Sequence, residues 1–254
     1  AKLRQRVEEE AFAIDDSLTS TDIDDAISLS RDIHGHEWIR IHIADPARWL
    51  EHKSILDVIA HERASSIYLP EIIAPMIPTH AATDAISLFQ TRENQAVTFA
   101  VRLGCAPSNS PGASEDISIE NEGTIAEYGV TVSQLAHVRQ CTYAQVDRLL
   151  LCPPSGPAVA DGDEEFRGND GQLRIRSLQR LNEIATIRYE YRKAQGALDF
   201  NIPRPRIVLT PGTDTSKEKQ VELVKSQDNS PARALVQEMM LLAGEGGGLY
   251  AQDL

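Results

Sequence analysis

Residues 11–29, AFAIDDSLTSTDIDDAISL, constrain the fold more than any other stretch of the chain. An apolar lead-in from Phe12 to Ile14 runs into Asp15 and Asp16. A short polar loop, Ser17 to Thr21, follows. Then come Asp22, Asp24 and Asp25, with an apolar exit through Ile27 and Leu29. Strand-like sequence on both sides anchors the loop against a core. Five carboxylates are thereby confined between two strands. Like charges this close repel, and partial burial adds a desolvation cost, so the arrangement needs a compensating cation. Magnesium fits, with manganese as an alternative, because a hard octahedral ion binds a few carboxylates and keeps sites for water and phosphate oxygens. A solvated acidic turn is the simpler reading. An EF-hand is a weak reading, since the D-x-D-x-D-G spacing and the closing Glu are absent. A phosphatase-like nucleophile at Asp22 or Asp24 stays open, although the pair does not directly follow a strand. Taken alone, the cluster indicates divalent-metal and phosphate chemistry.

Elsewhere, Glu37–Ala44 and Ala96–Leu103 alternate apolar and polar residues as half-buried strands do. Ser54 is placed to cap a helix over Ile55–Ala64. A longer helix is expected from about Ser177, where Leu178, Leu181, Ile184, Ala185 and Tyr191 recur at helical spacing, with Gly196 as its stop. Ser230-Pro231 opens another, expected to end at Gly244. Residues 104–121 and 153–171 are rich in Pro, Gly, Ser, Ala and acid and read as mobile surface loops. The mixture lacks strict βαβ alternation. It predicts one α+β domain over residues 1–254, with mixed or antiparallel sheets packed with helices.

Charge argues against a simple nucleic-acid grip. Lys and Arg number 25 against 38 Asp and Glu, a formal net charge of -13. A chain holding a phosphate backbone by surface charge alone should be basic. An RNA partner therefore requires a local basic channel, bridging cations or further modules. No apolar run of about eighteen residues exists, so no membrane span is expected. The first ten residues, AKLRQRVEEE, carry no signal-peptide core. Cys105, Cys141 and Cys152 show no metal-ligand spacing and suit a reducing compartment.

The order AFAIDD…DIDDAISL, IHIADPARW, ERASSIYLPEIIAPMIP, SLFQTRENQAVTFAV, TYAQVDRLL, YRKAQGALDF and LVQEMMLLAGE resembles the catalytic (RNB) domain of the ribonuclease II and ribonuclease R family. AFAID and EMMLLAGE are most similar to its plant-organellar and cyanobacterial branch. The resemblance implies a magnesium-dependent hydrolase that degrades single-stranded RNA from its 3′ end to nucleoside 5′-monophosphates. It also implies a home in a chloroplast, a mitochondrion or a bacterial cytoplasm. The family pattern D-x5-D-x-D-D falls on Asp16, Asp22, Asp24 and Asp25. Aligning AFAID instead puts Asp15 first, so Asp15 and Asp16 both remain candidates. By this resemblance Asp16 (or Asp15) and Asp25 hold the metal, Asp24 lies near the terminal ribose or a second metal, and Asp22 assists. Tyr68 and Phe200 correspond to aromatics that stack on bases near the 3′ end, and Glu238 to a contact with the terminal nucleotides. His42 and Asp45 are expected to support the metal loop, and Arg92 to meet a phosphate or an acid. The family domain extends past the LVQEMMLLA helix and is flanked by RNA-binding barrels. The resemblance therefore implies a C-terminally truncated module with impaired activity. A non-catalytic RNA-binding scaffold of the same fold is the alternative.

Overall fold

In chain order, the first four strands are β1 (Gln5–Val7), β2 (Ala11–Asp15), β3 (Asp25–Arg31) and β4 (Glu37–Ala44). They are followed by α1 (Ile55–Arg63), β5 (Ile67–Tyr68), β6 (Ile73–Ala74), β7 (Asn94–Leu103), β8 (Ile125–Leu135) and β9 (Val138–Thr142). The last elements are α2 (Tyr143–Leu151), α3 (Gly168–Ala194), β10 (Pro205–Thr210), β11 (Gln220–Lys225) and α4 (Pro231–Gln252). This computed structural model describes residues 4–18, 22–69, 72–80, 86–104, 123–151, 166–198, 205–210, 220–225 and 230–254. The expected loop residues 105–121 and 153–165, with Phe200, Cys105 and Cys152, lie outside them.

The fold is α+β, as expected, and divides into two units. The first comprises Ala1–Asp45, Ser87–Leu198 and Ser230–Leu254. Its seven-stranded sheet has the order β1-β8-β7-β4-β3-β2-β9, antiparallel except for the parallel pairs β1–β8 and β2–β9. Alternation in β4 turns Ile39 and Ile41 to one face, where they join Phe12, Ile14, Ile27 and Val101. Leu178 and Leu181 of α3, Val146 and Leu149 of α2, and Leu235, Met239 and Leu242 of α4 close over them as one apolar core. The second unit comprises Pro46–Ile86 and Asp199–Asn229. In it Ser54 caps α1 by accepting a 3.3 Å hydrogen bond from the Asp57 amide, and two small hairpins pair β5 with β6 and β10 with β11. Among the described residues no helix is long and apolar enough to cross a membrane.

Two helices run further than their periodicity implies. α3 starts at Gly168 rather than near Ser177, so residues 168–171 of the expected loop are its first turn. Gly171 is what makes this possible: a Cβ there would lie 2.1 Å from the Phe166 carbonyl carbon, while the Phe166 side chain is buried in the core. α4 continues through Gly244 to Gln252. Here glycine serves close packing rather than termination, since a Cβ on Gly247 would reach 2.9 Å from Phe99 Cε1 and one on Gly246 would reach 3.0 Å from Val101 Cγ2. Gly196 does end α3, at φ +92°.

Candidate active site

The acidic residues sit at one end of the large sheet. Asp15 is the last residue of β2 and pairs with Thr142 of β9, while Asp25 is the first of β3 and pairs with Ile43 of β4. β2 and β3 are antiparallel with Phe12 opposite Ile27. That register, continued outward, sets Asp15 across from Asp24. The intervening loop is held by its main chain and by one buried side chain. Ile23 is buried, and its carbonyl accepts from the Leu88 amide at 2.9 Å. The Asp24 carbonyl accepts from the Ala44 amide at 2.7 Å. With Ile23 turned inward, Asp22 and Asp24 on either side stay exposed.

Electrostatics separate the five acids. Asp25 is half-buried, and its carboxyl is pushed up to about 6, first by burial and then by the charges of Asp24 and Asp15. Asp24 is raised by desolvation of its inner side, then by Asp22 and Asp15. Neither carboxylate has a hydrogen-bond or ion-pair partner among the described residues. Asp16 behaves differently. Its carboxylate faces outward, 65 % exposed, and pairs with the Arg233 guanidinium, while its amide donates to Asp15 Oδ1 at 2.6 Å. Of the two alternatives for the first ligand, Asp15 is the one whose charge bears on both Asp24 and Asp25.

Two residues without an assigned role in the sequence complete this end of the sheet. Tyr143 follows β9 directly and opens α2. Its hydroxyl is held above its usual range by burial, with Arg233 opposing and the charges of Asp25, Asp15 and Asp16 adding to the rise. The Arg233 guanidinium lies 4.2 Å from the centre of the Tyr143 ring. Arg233 stands in a stretch that reads only as a helix opening, and Tyr143 in one that carries only the family resemblance, which is why local pattern did not single them out.

The remaining candidates are placed as follows. Glu238 on α4 is 4 % exposed, and both its oxygens accept from the Arg192 guanidinium of α3. A direct contact to a nucleotide requires that pair to open. Tyr68 lies in the second unit, on β5, and is 67 % exposed. His42 is buried and neutral between Ser28 Oγ at 2.9 Å and Thr98 Oγ1 at 2.8 Å, with its pKa lowered to about 3 by burial and then by Arg40. Asp45 pairs with Arg4 at 2.5 Å. Within this block the bond to the acidic loop is the one the Ala44 amide donates to the Asp24 carbonyl. Arg92 donates to the Ser87 carbonyl at 2.8 Å and packs over Phe89.

Among the described residues no three Asp, Glu, His or Cys side chains converge as a metal cage. The donor chemistry nonetheless suits a hard divalent cation: carboxylate oxygens with no partner among those residues, partly desolvated, with neighbouring acids raising the pKa of both.

The RNB domain family matches residues 4–254. The chain belongs to that family. An uncharacterized ribonuclease of Synechocystis is 30% identical over 242 residues, 95% of this chain and 30% of that protein. The chloroplastic/mitochondrial ribonuclease II of Arabidopsis thaliana is 31% identical over 224 residues, 88% of this chain and 23% of that protein. Mycoplasma genitalium RNase R, solved with ribose-methylated single-stranded RNA, shares the fold at TM-score 0.70 and 19% identity, over 96% of this chain and 32% of that one. This RNB chain therefore spans roughly a quarter to a third of the proteins it resembles. Its acid-bearing strands β2 and β3 lie wholly inside the matched region.

Proposed function

We propose that this RNB chain is part of a 3′-to-5′ exoribonuclease that hydrolyses single-stranded RNA with a divalent cation, magnesium above all. The carrying observation is the Asp24–Asp25 pair at the head of β3, with Asp15 beside it, whose charge none of the described residues neutralises. The ribonuclease names of the relatives and the RNA bound to the structural neighbour support RNA as the substrate. A cation held by Asp15, Asp24 and Asp25 would polarise the scissile phosphodiester and lower the pKa of attacking water.

The chain's own residues supply the rest. Water adds to the last internucleotide phosphorus, the P–O3′ bond breaks, and a nucleoside 5′-monophosphate leaves. The exposed carboxylates of Asp22 and Asp24 suit acceptance of hydrogen bonds from terminal ribose hydroxyls. Tyr68, and Phe200 by its place in the GALDF block, offer ring faces on which any base stacks. Glu238 holds Arg192, and its match to the family glutamate assigns it the terminal nucleotide once that pair opens. The relatives fit a plastid, mitochondrial or bacterial setting.

The deciding experiment follows 5′-labelled single-stranded RNA with the chain and with a longer protein that contains it, in magnesium and in EDTA. Stepwise shortening from the 3′ end in magnesium is expected, with Asp24→Asn losing at least about 100-fold in rate. Equal shortening by parent and variant, or none by either in the longer protein, overturns the proposal. RNA binding without turnover by the longer protein identifies the scaffold alternative.

A further inference from the structure

Asp15 and Asp16 are adjacent and chemically identical, yet the β2–β3 register sets Asp15 across from Asp24 while Asp16 pairs with Arg233. Something must decide between them. Three elements meet at the end of β2 to do so. The first turn of α4 is fixed by its caps: Ser230 Oγ accepts from the Arg233 amide at 3.0 Å, and Asp147 Oδ1 of α2 accepts from the Ala232 amide at 2.8 Å. The guanidinium that leaves this turn rests on the Tyr143 ring, 4.2 Å from its centre. From there it pairs with Asp16, which is 217 residues away in sequence.

We propose that Arg233 is a positioning residue that sorts the tandem acids, drawing Asp16 outward so that Asp15 is the carboxylate presented to Asp24 and Asp25. The proposal rests on the cation-site reading above and deepens it. Without Arg233, Asp15 and Asp16 compete for the inward place, and a loop that exchanges between two settings binds a cation more weakly in either. A planar guanidinium suits the task better than an ammonium, because it can stack on the ring and present its N–H edge to a carboxylate at once. Tyr143 is the platform, so the sorting device reaches from α2 through α4 to β2.

Manganese is the probe, its free fraction followed by EPR during titration of the full 254-residue chain. Arg233→Ala is expected to weaken manganese binding about ten- to a hundredfold, as loss of groups that orient ligands commonly does. Asp16→Asn removes the competitor, so in that background the Arg233→Ala loss should shrink below about threefold. Arg233→Lys, which keeps the charge should the alanine variant unfold, is expected to show a smaller loss that Asp16→Asn again abolishes. An equal loss in both backgrounds, or no loss in the parent background, overturns the sorting role. The underlying cation site fails separately, and this role with it, if the parent binds no manganese or if Asp15→Asn and Asp25→Asn bind it as the parent does.

Discussion

Half-buried Asp25 and buried His42 pull stability in opposite directions with pH. Asp25 titrates near 6 in the folded chain against an ordinary 3.8. Between those values the folded form holds a proton that the unfolded form has released, so stability falls as pH rises through this window. His42 titrates near 3 against an ordinary 6.5. There the unfolded form holds the extra proton, so stability rises with pH across that range. Asp25→Asn removes only the falling component. Urea midpoints of the variant should climb more steeply than those of the parent from about pH 4 to about pH 6, the interval between the unfolded and folded values of Asp25. Magnesium added to the parent should produce the same steepening. Parallel pH profiles for parent and variant would remove the basis for placing Asp25 in a charged, partly desolvated cluster. At this scale the sequence showed that five acids crowd one loop. It did not show that Asp16 turns to Arg233 or that Glu238 is consumed by Arg192, because both partners are far away along the chain.

Among the elements, strand β4 and the caps at Ser54 and Ser230 were legible because alternation and capping act within a few residues. Helix extents were not. Glycine is an ambiguous stop signal, and in α4 the sheet beneath requires it at Gly246 and Gly247. The contrast yields opposite effects of one substitution. Gly248 has nothing near a potential Cβ, so Gly248→Ala should stabilise the chain by about 0.5–1 kcal/mol through helix propensity. Gly171→Ala should instead destabilise it by about 1–3 kcal/mol, since the added carbon overlaps the Phe166 backbone. Equilibrium unfolding in urea reads both. Equal gains at the two positions contradict the close approach at the start of α3.

For the molecule as a whole, a net charge of -13 limits how RNA can be held. Binding of a single-stranded oligonucleotide, measured by fluorescence anisotropy, should depend strongly on magnesium. Its salt slope should be shallow, equivalent to only about two or three phosphate contacts. A steep slope unaffected by EDTA points to a basic surface that the charge balance does not suggest. The family, the α+β class and the acidic loop could be read from the order of residues, because each is carried by local pattern: alternation, capping, and charges a few positions apart. The division into two units, the length of α3 and α4, and the pairing of Asp16 with Arg233 were decided by tertiary structure. Those outcomes depend on which surfaces the sheet brings together, and on a guanidinium delivered from the far end of the chain, which no local window contains.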